Sequence, residues 1–168
     1  MLKAIKEDHS GFSLVELIVV LAIMGIVGTA SLIGLSTLSG RNIRSCYSQL
    51  ESYIKETKSL CMSKEYAETC LEIYSNAVGE VFVKVHTSAD EPQEIRIGKK
   101  GLTVTYESGG VELDAKDHPL KLSFQRASGA FKNNGSYSAP SKITITDGSG
   151  RVFKLKLVQQ TGKIEEEW

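Results

Sequence analysis

The hydrophobic pattern of the chain changes twice. Over residues 12–35 apolar and small side chains follow one another, and Glu16 is the sole charged residue among them. Apolar positions then thin out to Ile43, Cys46, Tyr47, Leu50, Tyr53, Ile54, Leu60 and Cys61, close to helical spacing, with Glu51, Lys55, Glu56 and Lys58 on the other face. This predicts an amphipathic continuation of the first helix over 36–64, its apolar stripe buried against a sheet. Gly34 and Gly40 are its expected weak points. Past residue 66 the period falls to two. Runs at 67–74, 80–86, 94–97, 102–107, 120–125, 142–146 and 151–158 read as strands. Turn residues divide them, among them Asn76, Gly79, Gly109, Gly110, Gly129 and the hairpin-like segment Asp147, Gly148, Ser149, Gly150. The expected class is α+β, a long N-terminal helix packed on an antiparallel, β-rich head at 65–168.

The apolar run is 24 residues long, with small residues at Ala22, Gly25, Gly28 and Gly34. At about 1.5 Å per residue it extends roughly 36 Å, enough to span a bilayer core of about 30 Å. The expected division is therefore a membrane-spanning half at 12–35 and an amphipathic half at 36–64. Gly25 and Gly28 are candidate points of close helix approach. A carboxylate such as Glu16 inside a membrane costs roughly 2.5–3.5 kcal/mol at the helix centre and less near the interface. It persists where it has a partner, or as an interfacial acid favoured by the helix dipole.

Residues 1–11 form a short polar leader ending in Gly11. A secretory signal carries its small-residue cleavage site after the apolar region. Here the small residue precedes it, so cleavage would leave the apolar helix as a new N-terminus. The arrangement Gly11-Phe12-Ser13-Leu14-Val15-Glu16, followed by the apolar helix, resembles the N-terminus of type IV pilins and type II secretion pseudopilins. That resemblance implies a prepilin peptidase that cleaves after Gly11 and methylates Phe12. It also implies that Glu16, the fifth residue of the mature chain, pairs with the N-terminal amine of a neighbouring subunit during assembly. The implied partners are the peptidase, other pilin or pseudopilin subunits and the cytoplasmic (inner) membrane. The N-terminus would lie inside, and the head outside. The absence of proline from the apolar helix points toward a minor pilin or pseudopilin. Residues 122–125, Ser128-Gly129, Ile143-Thr144-Ile145 and 161–164 are loosely similar to H-type minor pseudopilins, which implies a head of two packed antiparallel sheets.

Composition narrows the function further. Twenty basic and 20 acidic residues balance, leaving no electrostatic footprint for nucleic acid. The leader mixes Glu7 and Asp8 with Lys3 and Lys6, while Arg41 and Arg44 follow the apolar run, so charge alone does not orient the helix. Cys46, Cys61 and Cys70 form no Cys-x-x-Cys pair, and Cys61 can reach Cys70 only if the helix ends between them. His9, His86 and His118 are scattered, and no nucleophile-elbow, metalloprotease or phosphate-loop pattern occurs. No catalytic residue, metal or cofactor is therefore expected. Asp90, Glu91, Asp114 and Asp117 read as loop acids, and Glu165, Glu166 and Glu167 as a solvated acidic tail. A single-pass membrane-anchored binding protein that never polymerises stays open as the alternative; for it Gly11 would be dispensable and Glu16 incidental.

Overall fold

Helix α1 spans Leu14–Ser63 without a break, so neither Gly34 nor Gly40 interrupts it. This computed structural model describes residues 13–63, 68–88, 91–133, 135, 137 and 139–167, with side-chain surroundings at all of these except 26–39. The chain divides into two units, residues 1–37 and 38–168. At Gly40 the missing side chain leaves room for a neighbour: the guanidinium of Arg151 occupies the place a Cβ would take.

Within the second unit the helical stripe is buried as its spacing predicts. Ile43, Cys46, Leu50 and Ile54 are fully buried, Tyr47 and Cys61 nearly so, and Tyr53 partly. Fully burying a Leu or Ile contributes roughly 1.5–3 kcal/mol, so this stripe holds the helix to the head. Thr57 also lies on it, fully buried, because its hydroxyl donates to the Tyr53 carbonyl one turn back at 2.8 Å. A polar residue at a core position is invisible to a hydrophobic pattern; the backbone bond is what makes it affordable.

The strands are β1 (Thr69–Ser75), β2 (Val81–Thr87), β3 (Gln93–Gly98), β4 (Leu102–Ser108), β5 (Val111–Asp114), β6 (Leu120–Leu122), β7 (Lys142–Asp147), β8 (Val152–Val158) and β9 (Lys163–Glu167). They form a four-stranded sheet, ordered β3-β2-β1-β6, and a five-stranded sheet, ordered β5-β4-β7-β8-β9. All of these pairings are antiparallel. Alternate residues Leu71 and Ile73 of β1, Val81 and Val83 of β2, Val104 of β4 and Ile143 and Ile145 of β7 join the helical stripe in one buried cluster. The two-residue period thus sets which face of each strand is covered.

The chain departs from its hydrophobic pattern in three places. Strand β5 is only four residues long and half exposed, too short for alternation to register. Strand β6 ends at Leu122 rather than continuing to 125, because the chain turns off: Ser123 Oγ donates to the Thr69 carbonyl at 2.7 Å, and Phe124 bridges Phe131 instead. The acidic segment at the end of the chain is a paired strand, β9, and not a free tail, although Glu166 and Glu167 stay exposed to solvent. Its Glu165 stands opposite Lys156 and its Glu167 opposite Lys154, with Ile164 opposite Leu157. Opposite charges facing across a sheet contribute about 0.2–1 kcal/mol per pair, which partly offsets the poor β propensity of an acidic strand paired to β8 through its backbone.

Two glycine turns meet beside the C-terminal part of α1. Gly162 has φ +61°, and a Cβ there would collide with the carbonyl oxygen of Gly129. Lys58 Nζ ties α1 to the same turn, donating to the carbonyls of Thr161 at 2.8 Å and Gly162 at 3.1 Å.

Candidate functional site: the first turns of the N-terminal helix

Ser13 starts α1. Its carbonyl accepts the Leu17 amide at 3.1 Å, and its hydroxyl accepts the Val15 amide at 3.3 Å, an N-cap arrangement. Glu16 stands three residues after the cap, where a carboxylate complements the helix dipole. The Ser13-x-x-Glu16 spacing is that of a capping box. Glu16 therefore has a local role in the isolated chain, and that role does not use up its capacity to accept a cation.

What surrounds Glu16 is unusual for a folded unit. Every residue from 13 to 25 is exposed, including Leu14 at 75%, Val15 at 68% and Met24 at 65%. A helix apolar all round is stable only when something apolar covers it, either lipid or neighbouring helices. At Gly25 an added Cβ would meet nothing within 4 Å, so its flank is open. Gly28 lies in α1, among the residues whose surroundings are not described. Gly11 and Phe12 lie outside the described residues. Among the described residues no helix is long and apolar enough to cross a membrane. Described apolar side chains stop at residue 25, whereas a span needs about 20 residues; the rest of the run falls on 26–35.

Elsewhere one grouping deserves a test as chemistry. Cys70 of β1 stands directly opposite His86 of β2, and His86 Nε2 lies 2.9 Å from Glu72 Oε2 on the same outer face. Burial pushes the Cys70 thiol up, against the smaller pull of Lys121, so the thiol keeps its proton, the reverse of what a nucleophile requires. Cys46, Cys61 and Cys70 are free thiols, and burial pushes Cys46 up to about 12. Cys61 donates to the Thr69 carbonyl at 3.4 Å. Among the described residues no three His, Cys, Asp or Glu side chains are grouped to hold a metal. Of the loop acids, Asp114 closes β5 and accepts the Lys116 amide at 2.8 Å. Asp147 accepts from Ser149 and Arg151 and so organises the β7–β8 hairpin turn.

Residues 8–32 match the prokaryotic N-terminal methylation motif. The match covers the leader's end, Gly11, Phe12, Glu16, Gly25 and Gly28, and it bears out the type IV pilin and pseudopilin resemblance over that segment. No curated protein and no solved structure matches the chain.

Proposed function

We propose that this chain is a prepilin: a structural subunit cleaved after Gly11 by a prepilin peptidase, methylated on Phe12 and assembled into a type IV pilus or a type II secretion pseudopilus. The match of residues 8–32 to the methylation motif carries the reading. The uncovered apolar turns around Glu16 support it, since a surface of that kind calls for a bilayer before assembly and neighbouring helices after it. In this reading residues 12–35 span the cytoplasmic membrane with the N-terminus inside, and the head stands outside. Cleavage creates an ammonium on Phe12, and the Glu16 carboxylate of an adjacent subunit pairs with it as the subunits come into register. Gly25 and Gly28 let neighbouring helices approach. Among the described residues the head holds no grouping that calls for a substrate, and a minor pilin or pseudopilin is favoured by the absence of proline from the apolar run.

Mass spectrometry of the N-terminus, after co-expression with a prepilin peptidase, tests this directly. The expected product begins at N-methylated Phe12. An intact Met1 chain beside a cleaved control prepilin would transfer the reading to an anchored, unpolymerised binding protein. Gly11→Leu should block cleavage. Glu16→Ala should be cleaved normally yet enter filaments poorly, and unchanged incorporation would remove the pairing role of Glu16.

A further inference from the structure

Arg41 and Arg44 follow the apolar run, yet neither is needed for processing or assembly as read above. Arg41 lines a cleft of about 660 Å³ between α1 and the end of β3, together with Asn42, Ser45, Arg96, Gly98 and Lys99. Among the described residues no carboxylate lines it. Its walls are fixed to each other. Asn42 Oδ1 accepts the Lys99 amide at 2.9 Å, and Asn42 Nδ2 donates to the Lys99 carbonyl at 3.3 Å, clipping the β3–β4 turn onto the helix. Gln49 Nε2 donates to Ser45 Oγ at 2.9 Å and, more weakly, to the Ile97 carbonyl at 3.4 Å. Of the three cations, Arg96 shares its charge with Glu80 at 3.0 Å. Arg41 and Lys99 have no acidic partner among the described residues.

Three cations lining one cleft, two of them without an acidic partner among the described residues and beside polar donors, supply the chemistry that recognises a phosphate oxyanion. Arg41 lies six residues past Leu35, where the apolar run ends. Along one continuous helix Arg41 follows Leu35 by about 9 Å at roughly 1.5 Å per residue, a rise comparable to the thickness of the headgroup layer beyond a bilayer core. We propose that the cleft formed by Arg41, Ser45, Arg96 and Lys99 binds the phosphodiester of an anionic phospholipid headgroup at the outer surface of the membrane. The site rests on the membrane-spanning reading of residues 12–35. It gives Arg41 a purpose other than topology: with Arg96 and Lys99 it engages a lipid headgroup until the subunit is extracted into a filament.

The test uses the full chain in neutral detergent, titrated in turn with dihexanoyl phosphatidylglycerol, dihexanoyl phosphatidylcholine and inorganic phosphate, with backbone amide signals as the readout. The glycerol lipid should shift the amides of Ser45, Gly98 and Lys99 saturably, and the other two ligands should leave them in place. Removing a cation should weaken the apparent affinity roughly fivefold, so Arg41→Gln with Lys99→Gln should weaken it about 25-fold. Lys99→Arg should restore it, and Lys142→Gln with Lys154→Gln, on the five-stranded sheet, should not change it. Unmoved core amides certify that each variant folds. Equal shifts with the choline lipid, saturation by inorganic phosphate alone or an unaffected double variant would each overturn the headgroup site. Peptidase cleavage of the same preparation is scored separately: a cleaved chain with no lipid response fails this inference alone, and an uncleaved chain fails the prepilin reading.

Discussion

Gly109 and Gly162 offer a controlled comparison, because both have φ +61° but only one is crowded. An alanine at either position must adopt a left-handed backbone, at a cost of roughly 1–2 kcal/mol. Around Gly109 nothing lies within 4 Å of the new Cβ, so that is the whole penalty. At Gly162 the Cβ collides with the Gly129 carbonyl oxygen and crowds Phe124 Cδ1 at 3.2 Å, and the obstruction is backbone that cannot swing aside. Forcing an added carbon into packed structure typically costs a further 1–3 kcal/mol. The turn also carries the Lys58 contacts from α1, so a shift loosens the helix from the head. Gly109→Ala should therefore lose about 1–2 kcal/mol and Gly162→Ala about 2–5 kcal/mol. At about 2–4 °C per kcal/mol for a chain of this size, the two melting points should stand several degrees apart. Thermal or urea unfolding of the full chain in neutral detergent, followed by circular dichroism, measures both. Equal losses would refute the argument that the two glycine turns have to touch.

The pH dependence of stability should carry a contribution from Asp147. Burial alone would raise this carboxyl, but bonds from the Ser149 hydroxyl, the Arg151 and Ser149 amides and the Arg151 guanidinium outweigh it and hold it below its usual 3.8. A lowered folded value means stability present above about pH 4 and lost as the pH falls through the depressed value. Asp147→Asn should thus be less stable than the parent at pH 7, with the gap closing below about pH 4; a gap independent of pH would contradict this. Cys46 should resist alkylation in the folded chain at pH 8, since a thiol pushed up to about 12 is ionised to about one part in 10⁴ there, and should react once urea unfolds the head. Labelling of folded Cys46 at the rate of an unfolded thiol would show that the head opens readily.

The order of elements was legible along the chain because it rests on local periodicity. An uninterrupted apolar run, a stripe at helical spacing and alternating runs between turn residues require no knowledge of what they touch. The Gly11, Phe12 and Glu16 motif is likewise a property of residues close together in the sequence, and it matches the methylation motif without any reference to the head. Tertiary structure decided whatever depends on a partner distant in sequence. Thr57 is core because its hydroxyl returns to a helix carbonyl, and Glu165 and Glu167 belong to a strand because β8 pairs with them. Gly162 is required by Gly129, 33 positions earlier, and Arg41 forms a cleft only where α1 meets the end of β3. The division is physical: periodicity fixes which face an element must bury, but packing alone decides against which residues it is buried.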